Sequence, residues 1–101
     1  MIKTIDLQPV PSQVRRLSID GYNLQLNLYQ KEQGLFIDIN VDGVDICTGI
    51  ICRNSVYLNA KPYGAFKGQV AIVDTAGDED PEYSGLNSRW VLFYIPEADL
   101  P

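Results

Sequence analysis

Hydrophobic and polar residues alternate with a period of two along most of the chain. Leu24, Leu26 and Leu28 interleave with Asn23, Gln25 and Asn27; Leu35, Ile37, Ile39 and Val41 interleave with Phe36, Asp38, Asn40 and Asp42. Successive side chains of a strand point to opposite faces, so each run predicts a half-buried strand with one face on a core. Gln30-Lys31-Glu32-Gln33-Gly34 separates the two as a polar loop of hairpin length. Asp42-Gly43, a strong two-residue hairpin signal, leads into a third run from Val44 to Cys52. Three consecutive strands with short turns make a central meander.

The pattern extends in both directions. Gln13–Ile19, followed by Asp20-Gly21, predicts another strand entering a tight turn, and Ile2–Leu7 predicts a first strand. Between them Gln8-Pro9-Val10-Pro11 lacks two ladder donors and is expected to be an extended crossing. Val56–Asn59 suits a short strand, and Phe66–Thr75 a mostly buried one through Val70, Ala71, Ile72 and Val73. Ala76–Ser88 is a polar, acidic loop; Arg89–Ile95 is apolar on both faces, the mark of a central or interface strand. No window predicts a helix of ten residues. The expected fold is all-β, an antiparallel β-sandwich or partly closed barrel of seven to eight short strands. Residues 1–101 are expected to form one domain: a first strand and Pro-containing linker over 1–12, the long acidic loop over 76–88, and a tail over 96–101.

Composition narrows the function classes. A chain of 101 residues suits a single core, and 46% hydrophobic with 21% charged residues is ordinary globular usage. No apolar run is long enough to span a membrane, and the N-terminal stretch lacks the apolar core of a signal peptide, so a soluble chain made in the cytoplasm is expected. The net charge of −5 opposes nucleic-acid binding, and the only basic pair, Arg15-Arg16, points to opposite faces of its strand. Cys47 and Cys52, with no histidine in the chain, do not make a four-ligand zinc site; they are expected to be reduced, at least partly buried thiols.

Candidate chemistry is sparse. Asp74-Thr75-Ala76-Gly77 is similar to the Asp-Thr-Gly loop of aspartic proteases, whose dimers share a proton between two carboxylates. Against this, Ala76 replaces the first glycine, the motif falls late, and the residues after it are too few for the rest of that fold. A strand ending in a turn capped by Asp74 or Thr75 is favoured. Asp78-Glu79-Asp80-Pro81-Glu82 gathers carboxylates that suit Ca2+, but without the alternating spacing of an EF-hand loop it reads as a solvated tip. The serines have no histidine base, and a Ser–Lys pair with Lys61 or Lys67 is not called for by any spacing. Tyr57, Tyr63, Tyr83, Tyr94, Phe66, Trp90 and Phe93 crowd the C-terminal half, mostly as core; an exposed minority would suit a protein interface or a carbohydrate- or peptide-binding platform.

Three stretches point to a known family. Ile5–Gln13 (IDLQPVPSQ), Cys52–Asn54 (CRN) and Phe66–Ile95 together resemble the baseplate plug family of contractile-tailed bacteriophages over essentially the whole chain. The most specific part is Val73–Leu86, V-D-T-x-G-x-x-D-P-x-Y-x-G-L, carried by Asp74, Thr75, Gly77, Asp80, Pro81, Tyr83, Gly85 and Leu86. Asn87 stands where glycine is expected and Trp90 where tyrosine is expected; Asn tolerates left-handed backbone, so the turn should survive. The resemblance implies a structural subunit near the tube–hub–spike axis of a virion tail baseplate. Its partners would be tube, hub, spike or wedge subunits, with several copies around the tail axis. It implies no catalytic residue and no cofactor; the charge, the apolar runs and the ligand spacing already lead to the expectation of no metal and no membrane or nucleic-acid partner. Most motif residues read as fixing loop shape, while Tyr83 and Leu86 pin the loop to its own domain or to a neighbour.

Overall fold

The computed structural model describes residues 2–55, 58, 68–96 and 99. Seven strands are present: β1 (Lys3–Ile5), β2 (Ser12–Ile19), β3 (Tyr22–Lys31), β4 (Gly34–Val41), β5 (Val44–Ile51), β6 (Gln69–Asp74) and β7 (Trp90–Ile95). They form two antiparallel sheets, ordered β1-β7-β6 and β2-β3-β4-β5, that do not close into a barrel. The expected all-β sandwich is therefore the fold, at the lower of the two expected strand numbers among the described residues. The strand expected over Val56–Asn59, the start of the one expected from Phe66, the residues Tyr57 and Tyr63, and most of the tail lie outside the described residues.

The meander is built from local signals. Asp20-Gly21 and Asp42-Gly43 both hold positive φ at their two residues, the geometry of hairpin turns whose twist matches that of the strands. The β3–β4 connection is tighter than its polar sequence suggests. Pairing runs out to Lys31 opposite Gly34, leaving Glu32 and Gln33 as the turn. Ladder hydrogen bonds outweigh weak strand propensity there. β2 likewise begins at Ser12, inside the stretch expected to be linker.

Alternation sorts the side chains as the pattern predicts. Leu24, Leu26, Leu28, Leu35, Ile37 and Ile39 are almost fully buried, and they meet Ile5, Val70, Ile72, Leu92 and Tyr94 from the small sheet in one core. β7 is the central strand of that sheet, paired with β1 on one side and β6 on the other. The crossing from β1 to β2 is tied by side chains in place of a ladder. The Gln8 N–H donates to Gln13 Oε1, Gln13 Nε2 donates back to the Gln8 carbonyl, and Arg15 Nε donates to the Asp6 carbonyl. Cys47 is half-buried and Cys52 buried, both free. No helix among the described residues is long and apolar enough to cross a membrane.

Candidate functional site

The chain between β6 and β7 carries the most specific motif, and its shape starts at Asp74. Antiparallel pairing sets Asp74 opposite Trp90, so Arg89 arrives beside the carboxylate. Arg89 Nε reaches Asp74 Oδ1 at 2.8 Å and Nη2 reaches Oδ2 at 2.7 Å, a two-pronged ion pair on a carboxylate with no exposed surface. The same two oxygens accept the N–H groups of Ala76 and Glu79, each at 2.9 Å. Buried charge is costly unless paired and hydrogen-bonded, and here every lone-pair direction is used. The Arg89 fork holds the Asp74 carboxyl well below the usual carboxylate range, against the opposing effect of burial, and the Glu79 and Ala76 amides add to it.

The rest of the loop is pinned around that pair. The Thr75 amide and hydroxyl both donate to the Arg89 carbonyl, and Glu79 Oε2 lies 3.1 Å from Arg89 Nη2. The Arg89 guanidinium stacks 4.6 Å from the centre of the Trp90 ring, whose Nε1 donates to the Glu79 carbonyl. Pro81 and Leu86 are buried; Tyr83, half-buried against the core, opens a single 3-10 turn (Tyr83–Gly85) and donates its N–H to Gln30 Oε1 on β3. Gly85 lies flat on the Trp90 indole, and a Cβ there would overlap the ring. Asn87 holds φ +66° and donates its N–H to the Trp90 carbonyl, so the left-handed turn forms without glycine.

Arg53 and Asn54 join this loop from the end of β5. Asp80 accepts the Asn54 N–H at 3.0 Å and pairs with Arg53 Nη1 at 2.9 Å; these contacts lower its carboxyl pKa, the amide contributing most. Asn54 Oδ1 accepts the Asp74 N–H at 2.7 Å. The CRN stretch and the long motif, far apart in sequence, are thus one structure. Gly77 lies beside the Asp74–Arg89 pair. The eight motif residues therefore lie at the end of β6 and in the pinned loop that follows it. Arg89, Arg53, Asn54 and Gln30, which complete it, were not among the site residues read from the motif. The only signal for them was the CRN stretch itself and an arginine placed just before a tryptophan.

Asp74 has its oxygens filled by Arg89 and two amides, which does not suit a shared-proton dyad. Among the described residues no cluster of His, Cys, Asp and Glu forms a metal cage. Of the C-terminal aromatics, Trp90 and Tyr94 are core, and Tyr94 hydrogen-bonds Asp20 at 2.9 Å. What remains outward is the acidic tip, with Asp78, Glu79 and Glu82 exposed.

The described residues thus form a two-sheet β protein whose most distinctive loop is fastened by its own side chains. Residues 2–97 match the family model described as cyanophage baseplate Pam3 plug gp18, and the chain belongs to that family of phage baseplate plug proteins. No curated protein matches the chain.

Proposed function

We propose that this protein is a structural subunit of a contractile phage tail baseplate, a plug near the tube–hub–spike axis that works through protein–protein contacts. The family match over residues 2–97 carries this reading. Its neighbours are tube, hub, spike or wedge subunits, and several copies stand around the tail axis. It acts without cofactor, metal or catalytic residue, does not bind nucleic acid or membrane, and is made in the host bacterial cytoplasm before assembly into the virion.

The loop over Asp74, Thr75, Gly77, Asp80, Pro81, Tyr83, Gly85 and Leu86 gives this role its physical support. Ion pairs, amide contacts and the buried Leu86 hold it in one conformation, so little ordering entropy is lost when a partner docks. Its exposed carboxylates then meet a basic surface on a neighbour, which favours the right partner and rejects acidic ones. Mass spectrometry of purified particles and isolated baseplates tests the assignment. The chain's peptides should be enriched in baseplates in fixed ratio to other tail proteins. Their absence from particles, with the chain abundant in infected cells, would sink it.

A further inference from the structure

Among the described residues the four-stranded sheet has two open edges, and they are complementary. Among the described residues no strand pairs with the outer side of β2 or of β5. One cross-strand row on the outward face runs Arg16, Gln25, Asn40, Asp45; the next row, on the core face, runs Leu17, Leu24, Val41, Val44. The polar row begins with a cation at one edge and ends with an anion at the other. The apolar row ends in a half-buried Leu17 and an exposed Val44. Arg16 bonds only Gln25 through Nε, and no carboxylate lies within ion-pair distance of Arg15 or Arg16 among the described residues. Among the described residues the Asp45 side chain is held only by Asn40 Nδ2.

The backbone is in phase with this. The Gln30 N–H donates to the Pro11 carbonyl, so alternate residues from Pro11 onward point their backbone groups at β3, and those of Arg16 point outward. The Asp42 N–H donates to the Asn23 carbonyl, which turns Val41 toward β5; Val44 answers it, and the backbone groups of Asp45 face outward. With an even number of alternating strands, a copy rotated about an axis along the strands brings its β2 antiparallel to β5. Opposing Asp45 with Arg16 then also opposes Val44 with Leu17, since both pairs share one antiparallel register.

We propose that copies of this chain join head to tail by sheet continuation, β5 of one against β2 of the next, with Asp45 facing Arg16 and Val44 facing Leu17. The inference deepens the assembly reading by naming one partner, a second copy, and rests on it for the presence of several copies together. Pairing like edges is disfavoured, because β2 against β2 gathers four arginines. A head-to-tail contact closes into a ring when its rotation allows. Register shifts beyond Asn40 in the β4–β5 pair confine the new ladder to the first residues of β5. Arg15 Nη1, which now holds the Arg16 carbonyl at 3.2 Å, gives way to the incoming strand.

The test uses the purified full chain in a Cys47→Ser background. Leu17→Cys and Val44→Cys combined should give, on oxidation, a ladder of dimers and higher multiples on a non-reducing gel. The two positions lie on opposite sheet edges, too far apart to bridge within one chain. Arg16→Asp or Asp45→Arg alone should abolish the ladder, and the double charge swap should restore it. Monomers only, dimers only, or a ladder indifferent to Arg16→Asp would overturn the proposal. Such failure with the chain present in isolated baseplates removes this inference alone; a ladder with the chain absent from particles removes the baseplate reading alone.

Discussion

The two sheets are organised on different principles. The four-stranded sheet is a meander in which every neighbour in space is a neighbour in sequence, joined by two-residue turns. The three-stranded sheet takes its strands from both ends of the chain, and the link between β6 and β7 is long and polar. In the meander, shape follows from alternation and turn residues. In the small sheet, shape depends on particular side chains: Asp74 with Arg89, Asp80 with Arg53, Gly85 beneath Trp90. Regular pattern and specific contact are two routes to one rigid molecule, and they should fail differently when disturbed.

Substitution at Leu86 probes the contrast most strongly. It lies in a loop but is 1% exposed, as buried as the meander leucines. Leu86→Ala should cost about 2–5 kcal/mol by urea denaturation, matching Leu26→Ala. A loss below about 1 kcal/mol would show that the loop rests on the core without belonging to it.

Cys52 lies at the seam, where the chain leaves β5 for the loop, and burial pushes its thiol up to about 12. Its folded pKa is raised, so its contribution is complete below the unfolded pKa and is lost as pH rises toward the folded one. Stability should therefore fall from about pH 9 upward, by roughly 2 kcal/mol over two pH units from this group. Tyr94, raised by burial and then by Asp20, drives the same trend. Cys52→Ala removes only the thiol's share, so an unchanged alkaline slope would contradict the assignment.

Asp74 acts at the other end of the scale. Its folded pKa is depressed, so its stabilising effect is present above the unfolded value near 4 and is lost as pH falls below it. Asp74→Asn should melt at a lower temperature than the parent at neutral pH, and the gap should narrow in acid. Hydrogen exchange should show the deficit concentrated between β6 and β7, with the meander amides little changed. The smallest effect is expected at Asn87. Asn87→Gly should shift stability by less than about 1 kcal/mol, because the left-handed turn is already formed.

This contrast also explains what could be read before folding. Leu24 to Val41 announce their strands because the face each residue takes is set by alternation within its own strand. The hairpin at Asp42-Gly43 is legible just as locally, from its two turn residues. The loop is another matter. Asp80 finds Arg53 across 27 positions, Asp74 finds Asn54 across 20, and Tyr83 finds Gln30 across 53. No periodicity encodes such pairings, so the family motif marks the loop while its arginine partners become visible only in space. The order β1-β7-β6 is hidden likewise, since an apolar β7 says that it is flanked but not by what.

That order bears on how the chain is made. β1 leaves the ribosome before the meander, yet its partner β7 leaves well after it: Lys3 waits for Tyr94. Pairings so distant in sequence form slowly, whereas β2 to β5 can zip as they emerge. The nascent chain should thus carry a completed meander with one apolar face uncovered until β7 has been made. Pulse-labelled hydrogen exchange during refolding should find β3 and β4 protected before β7. Simultaneous protection of all three would mean that neither sheet forms without the other.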